Sequence, residues 1–358
     1  MHPQENKSYQ YLIVGQGLAG SVLALSLMQT GCSVMVIDNP KLSQCSRVAG
    51  GAWNPIVFKR LTKSWLADEL LPELNLFYTY WEEQFKSSFV HQRSIIKSFT
   101  EEQEERLWLK KAIEGNQYLD NTIYKQYPLN HHYTVASYSK VLQAGNINIP
   151  LFLDLTKQYL IQNNAYTQHT FNYHHLKIHE LEIAYESLNA SQIIFCDGHL
   201  ISQQPYFNFV PMKPVKGETL TIYCEGINLE RDILTTGFFM LPLGHHTYKI
   251  GATYDWENLN DIPSEKGKQF LIEKFEEVIK LPYQIIEHQA GVRPSVIDRR
   301  PVIGRHPIYT NLLVFNGFGT KAVMLAPYFA KQFTQHLLQN QNLHPEVDVK
   351  RFYDKLQS

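Results

Sequence analysis

Two groups of residues in this chain of 358 have the types and spacing to do chemistry. The first is Gly15-Gln16-Gly17-Leu18-Ala19-Gly20, which fits G-x-G-x-x-G, with Asp38 downstream. Gly15 permits a sharp turn, Gly17 leaves bare backbone for a pyrophosphate, and Gly20 lets helix and strand pack closely. The free N–H groups and dipole of the helix that follows favour phosphate charge. Asp38 stands at about the interval expected for an acid on a ribose hydroxyl. It disfavours a 2′-phosphate, and with it NADP, while FAD and NAD both remain compatible. The second group is Gly317-Phe318-Gly319-Thr320-Lys321-Ala322, which resembles G-x-G-x-x-A. No strand ending in an acid follows it, because Gln339 to Ser358 is mostly polar. A helix N-terminus with Lys321 nearby suits a small anionic charge instead, such as the O2/N1 edge of a reduced flavin. The two glycine turns therefore suit the two ends of one FAD.

Positioning these residues takes a defined set of elements. Tyr11 to Val14 is a buried-strand run, Ser21 to Thr30 has helical spacing with Gly31 placed to end it, and Ser33 to Ile37 is a second strand. Lys41 to Pro55 reads as a loop whose small residues allow close backbone approach to a ligand. Leu61 to Phe85 is helical, with Leu66, Leu70, Leu74 and Tyr78 on one face. A strand follows at Phe89–Phe99, then a helix to about Glu114 with Thr100 as N-cap and Gln103 at the capping-box position. Further strands are expected at Asn130–Lys140, Phe171–Lys177, Gln192–Phe195 and Leu312–Phe315, and helices at Leu151–Gln162, Lys266–Ile279 and Thr320–Leu338. Met212 to Thr253 is β-rich, with turns at Lys216-Gly217 and Leu243-Gly244. An α/β unit opens and closes the chain around a β-rich middle, which predicts a first domain interrupted by a second.

Composition narrows the function classes. A hydrophobic content of 44% supports a normal core, and the length allows two domains. The net charge of −1 gives no case for nucleic-acid or membrane partners. The opening MHPQENKSYQ lacks a basic start and apolar core, so no signal peptide is expected, and no apolar run is long enough to span a membrane. Cys32, Cys45, Cys196 and Cys224 are widely spaced, as suits reduced thiols and a cytoplasmic location. His131-His132, His174-His175 and His245-His246 carry no metal-ligand spacing and read as turn or surface residues, so no metal site is expected.

Several motifs resemble, in order, those of the D-amino-acid oxidase/glycine oxidase (DAO) superfamily. They are the opening fingerprint, Ala49-Gly50-Gly51, Pro214-Val215-Lys216-Gly217-Glu218, and Leu241-Pro242 followed by Ile250-Gly251-Ala252-Thr253. Gly291-Val292-Arg293-Pro294, Asp298, Pro301-Val302-Ile303-Gly304 and Gly317-Phe318-Gly319 with Leu325-Ala326-Pro327 complete the set. The resemblance implies an α/β fold of glutathione-reductase type: a Rossmann-type FAD domain beside an inserted antiparallel β-sheet substrate domain. The expected boundaries are 1–85, 145–210 and 288–358 for the FAD domain, and 86–144 and 211–287 for the substrate domain.

The resemblance also implies roles. Arg293 matches an arginine that holds a substrate carboxylate, as a guanidinium fork does through two hydrogen bonds. Lys321 matches a lysine beside the flavin, and Ala49-Gly50-Gly51 a loop that passes the flavin ring. The implied cofactor set is Gly15, Gly17, Leu18, Ala19, Gly20, Asp38, Asn39, Ser46, Ala49, Gly50, Gly51, Gly198, Gly317, Phe318, Gly319, Thr320 and Lys321. Phe239 stands where relatives carry a tyrosine, removing a hydroxyl from the expected carboxylate site. The stretch just before Arg293 reads Gln289-Ala290-Gly291-Val292, without the cysteine that covalent-flavin members have there, so the FAD is expected to be non-covalent. The implied activity is an FAD-dependent oxidation of the C–N bond of an amino acid or amine bearing a carboxylate, with oxygen or another electron acceptor. Two other readings stand beside it: an FAD domain acting on a carboxymethylaminomethyl group of a tRNA wobble uridine, and a non-catalytic flavin-binding protein.

Overall fold

The computed structural model describes residues 7–42, 45–125, 137–227, 229 and 231–356. The opening apolar run becomes the strand Lys7–Val14, the centre of an eight-stranded sheet. It pairs in parallel with Val34–Asp38 on one side and Leu188–Phe195 on the other. Leu312–Asn316 adds in parallel beyond Leu188–Phe195, and Tyr166–Gln168 beyond Val34–Asp38. Near-continuous Val, Ile, Leu and Phe in these strands mark a sheet covered on both faces. Leu12, Val14, Ile37, Ile193, Phe195 and Val314 enter one core cluster, each burial contributing roughly 1.5–3 kcal/mol. The helix Leu18–Gln29 buries most of its residues and packs against Ala322–Gln339, so the two helices that open at the glycine turns share a face. Parallel pairing places Val14, Asp38, Phe195 and Asn316 at one edge of the sheet, where open α/β sheets bind ligands.

The β-rich middle forms a second eight-stranded sheet. Its order is Gln284–Arg293, Val215–Tyr223, Thr247–Gly251, Phe239–Gly244, Ile233–Thr235, Val90–Phe99, Ser137–Ile147 and Ala52–Trp53. From Val215–Tyr223 to Ala52–Trp53 the pairings are antiparallel except that of Ile233–Thr235 with Val90–Phe99, which is parallel. The hairpin between Phe239–Gly244 and Thr247–Gly251 turns on Gly244, His245 and His246, all with positive φ. That pair of histidines is a turn pair, as expected, and His174 and His175 are exposed in a short 3-10 turn. His131 and His132 lie outside the described residues. Among the described residues, no His, Cys, Asp and Glu group could hold a metal ion, and no helix is long and apolar enough to cross a membrane.

Several expectations are corrected. The chain divides into two compact units, Met1–Ser46 with Pro150–Val215 and Val292–Ser358, and Arg47–Ile149 with Lys216–Gly291. Three of the expected boundaries fall within a few residues of these, but the one at 85 falls instead at Ser46. Residues 47–85 join the second unit because Ala52–Trp53 pairs with Gly145 and Asn146, and the Trp53 indole N–H donates to the Gln143 carbonyl (3.0 Å). Glu82 Oε1 also accepts from the backbone N–H of Phe89 (2.6 Å) and Val90 (2.7 Å), tying the helix Ala67–Phe85 to the next strand. The expected loop at 41–55 thus contains a helical turn, Cys45–Val48, and a short strand. Lys216-Gly217 is no turn but lies within the buried strand Val215–Tyr223, where Lys216 is satisfied by Asn260 and the Ile262 carbonyl. The helix expected from Leu61 starts at Ala67, and the strand at 171–177 is a 3-10 turn followed by Leu176–Ile178. The helix Glu102–Ile113 starts at N-cap Glu101 rather than Thr100, and Glu104 instead accepts from the Thr100 N–H. Of the strand expected at 130–140, the described part is the start of Ser137–Ile147.

Candidate functional site

The fingerprint turn is built by sterics. Gly15 has φ +100°, and a Cβ there would lie 2.7 Å from the Cys196 carbonyl oxygen. A Cβ at Gly20 would lie 1.9 Å from the Gly15 carbonyl oxygen, so no other residue fits between strand and helix. Gly17 is the N-cap of Leu18–Gln29, with no side chain of its own and no acid in the first turn. An added Cβ at Gly17 would meet only the Ser46 hydroxyl, at 3.3 Å. Ser46 Oγ accepts from the Leu18 N–H (3.1 Å), which caps the helix from a separate segment. Asp38 Oδ1 accepts from the Gln16 N–H (2.9 Å), so this carboxylate pins the turn. Gln16 Nε2 donates to Ser21 Oγ (3.1 Å) and the Leu153 carbonyl (2.9 Å). Asn39 Nδ2 donates to Thr170 Oγ1 (2.7 Å) beyond the neighbouring strand.

The C-terminal turn is held differently. Gly317 and Gly319 have φ +78° and +55°, and a Cβ on Gly317 would come 2.6 Å from Val296. Gly319 N–H donates to the Pro294 carbonyl (3.2 Å), and Ser295 forms a bridge with Phe318. The backbone just after Arg293 is therefore laid against this turn, bringing the two expected catalytic residues into one neighbourhood of the first unit. Thr320 and Lys321 sit in a single 3-10 turn before Ala322–Gln339. Burial, and then the charge of Arg300, hold the Lys321 amine down at about 8. Gly198 follows Leu188–Phe195 with φ +62°, and a Cβ there would meet nothing within 4 Å.

Of the expected cofactor residues, Ala49, Gly50 and Gly51 belong to the second unit and the remainder to the first. In that second unit, a Cβ on Gly50 would press on Phe239 (3.1 Å), and one on Gly51 on the Ile147 carbonyl oxygen (2.1 Å). One functional candidate escaped the sequence reading. Lys249 is 8% exposed on Thr247–Gly251 and donates to the Val48 carbonyl (3.1 Å) and Gln289 Oε1 (3.2 Å). Burial lowers its amine, partly offset by Glu287. The sequence carried no signal for it, because a lysine between Tyr248 and Ile250 points to the opposite face of the strand, which reads as solvent. An open cleft of about 900 Å³ in the first unit, lined by Phe171, Tyr173, Gln204 and Tyr206 among others, contains none of the expected site residues.

The residues of the first unit fit a dinucleotide. They offer a helix N-terminus free of first-turn acids, a bare glycine at its cap, a carboxylate at the end of the second strand, and open space at Gly198. A family model described as FAD dependent oxidoreductase (DAO) matches residues 10–336. Glycine oxidase of Bacillus licheniformis is 30% identical over 129 residues, covering 36% of this chain and 35% of that protein. The tRNA 5-methylaminomethyl-2-thiouridine biosynthesis bifunctional protein MnmC of Legionella pneumophila is 24% identical over 316 residues, covering 83% of this chain and 45% of that protein. The chain thus spans less than half the length of either relative. In fold it is similar to the crystal structure of glycine oxidase from Geobacillus kaustophilus, with TM-score 0.77, 16% identity, and coverage of 96% and 98%.

Proposed function

The chain belongs to the DAO family of FAD-dependent oxidoreductases, and from that premise we propose that it oxidises the C–N bond of an amino acid or secondary amine bearing a carboxylate. The observation that supports this reading is the packing of the backbone just after Arg293 against the Gly317–Gly319 turn, which Lys321 follows. FAD, when bound, supplies the acceptor for a hydride. Residues Gly15 to Gly20, Asp38, Asn39 and Ser46 would hold its AMP half and pyrophosphate through backbone N–H groups and one carboxylate. Gly198, Gly317 to Thr320 and Lys321 would hold its other end.

Arg293 would take the substrate carboxylate through a two-bond fork and fix which C–H faces the acceptor. The Lys321 amine and the N-terminus of Ala322–Gln339 favour negative charge at that end of the site. Oxidation of C–N to C=N gives an imine, which water hydrolyses to a carbonyl and an amine. No acid–base side chain is required if the amine arrives neutral. The first unit is accordingly the proposed FAD domain and the second the proposed substrate domain. With no cysteine in Gln289–Val292 just before Arg293, acid precipitation should leave the flavin in solution.

The test is a panel of amino acids and amines mixed with the holoprotein while the visible flavin absorption is followed. Bleaching by carboxylate-bearing amines supports the reading, and bleaching by none sinks it in favour of a non-catalytic flavoprotein. Arg293→Ala should lose these substrates by about a hundredfold or more in kcat/KM while keeping its FAD; unchanged turnover would remove Arg293 from its role. A second reading is supported by the match to a bifunctional tRNA-modification protein over 83% of this chain. The substrate would then be a carboxymethylaminomethyl group on wobble uridine, again a C–N bond next to a carboxylate. The net charge of −1 weighs against RNA binding by this chain alone. Binding of tRNA with a steep salt dependence would favour it.

A further inference from the structure

We infer that Asp197 and Asn316 are a positioning pair that locks the Gly198 turn to the Gly317 turn and so sets the shape of the cradle for the flavin end of FAD. The inference rests on reading the first unit as the FAD site. One amide spans both turns. Asn316 Nδ2 donates to Asp197 Oδ1 (2.8 Å) and to the Gly198 carbonyl (3.0 Å). Its Oδ1 accepts from the Gly317 N–H (2.7 Å). Gly198 and Gly317 both hold left-handed backbone, with φ +62° and +78°, so each turn needs an external partner to fix it.

Asp197 is anchored from behind. Tyr173 OH (3.0 Å) and Gln204 Nε2 (3.2 Å) both donate to its Oδ2. Asp197, Gln204 and Asn316 are 9%, 1% and 2% exposed, so the carboxylate and the amide that spans the turns are buried, while Tyr173 reaches them from the wall of the open cleft. Gln204 leaves its own Oε1 buried without a partner, so its amide is committed to serving the carboxylate. Burial pushes the Asp197 carboxyl up to about 6 against the pull of these donors, which leaves it ionised at pH 8. The other titratable groups at hand are Tyr173 and the Cys196 thiol, and burial raises both. A buried carboxylate is costly unless each donor around it is used. Here the donors on one oxygen come from the body of the unit, and the donor on the other comes from the cofactor turns. That division makes the carboxylate a strut between them.

The test is a double-mutant cycle on FAD affinity. FAD is stripped from the full chain and titrated back at pH 8, with the dissociation constant read from flavin fluorescence and folding checked by melting. Asp197→Ala and Asn316→Ala should each weaken FAD binding about tenfold, and the double variant no more than the weaker single. Tyr173→Phe, which trims the network on the side away from both turns, should stay within about threefold of the parent chain. Asp197→Asn, which keeps an acceptor for Asn316, should recover most of the loss. Where an alanine variant does not fold, Asn316→Asp, which removes the donor to Asp197 and Gly198, should weaken FAD binding more than Asp197→Asn does. Additive losses, an equal loss in Tyr173→Phe, or the reverse order of the two volume-keeping variants would overturn the pair's role alone. A parent chain that takes up no FAD at all would overturn the reading of the site, and the pair with it.

Discussion

The Gly15–Gly20 turn and the Gly317–Gly319 turn begin alike, each leaving a parallel strand of one sheet and entering a helix that packs on the other. They are held by different means. The first is fixed mainly by backbone sterics, with strand and helix closer than any Cβ allows, supported by Asp38 on the Gln16 N–H and Ser46 on the Leu18 N–H, and its helix starts at once. The second has a 3-10 turn before its helix, a lysine at the N-cap, and side-chain and backbone partners from Asn316 and Pro294. A glycine motif thus says that backbone must come close to something. What it comes close to depends on the partners: the cap of a whole helix in one case, a positioned turn beside a cation in the other.

The comparison breaks most sharply at its glycines. Gly20→Ala should cost about 3 kcal/mol or more, because the added carbon would sit on the Gly15 carbonyl oxygen and backbone must move. Gly319→Ala meets only Ser295 Oγ at 3.1 Å and pays mainly for its positive φ, about 1 kcal/mol. Denaturant unfolding of both variants checks the order, and equal costs would erase the distinction.

Two ionisable groups sharpen it further, with opposite signs. The Lys321 amine is lowered to about 8 in the fold, so the unfolded chain holds the extra proton and stability should rise between pH 8 and 10. The gain is on the order of 2 kcal/mol and should vanish in Lys321→Met. Asp197 is raised to about 6, so its contribution is present below pH 4 and lost as pH rises through 6. Asp197→Asn should flatten that limb of the stability curve. The smallest effect belongs to Ser46. Removing its hydroxyl in Ser46→Ala should cost about 1 kcal/mol as a lost helix cap and leave the C-terminal turn untouched.

The first turn was legible in the sequence because its constraints lie within about thirty residues of chain. Strand, glycine spacing, helix and Asp38 appear as expected, with ends shifted by a few residues. The helix Ala67–Phe85 was legible too, from the periodicity of Leu70, Leu74 and Tyr78, though Leu66 adopts left-handed backbone before it instead of extending it. Where residues 47–85 belong was not legible, because their allegiance is set by pairing with residues 145 and 146. Lys216 misled for a related reason. A lysine beside a glycine looks like a turn until a distant loop offers Asn260 and the Ile262 carbonyl to its amine.

Residue types and spacing alone specify a G-x-G-x-x-G turn at Gly15–Gly20, a second glycine turn at Gly317–Gly319, and an arginine shortly before the latter. Those are local matters of Cβ clearance, helix dipoles and side-chain chemistry. Long-range folding sets the rest: Asn316 reaches Asp197 across 119 residues, Lys249 is buried, and the backbone after Arg293 is laid against Gly319. Parallel strands bring such residues to one edge only after the long connections between them have closed, and no local pattern records where those connections return.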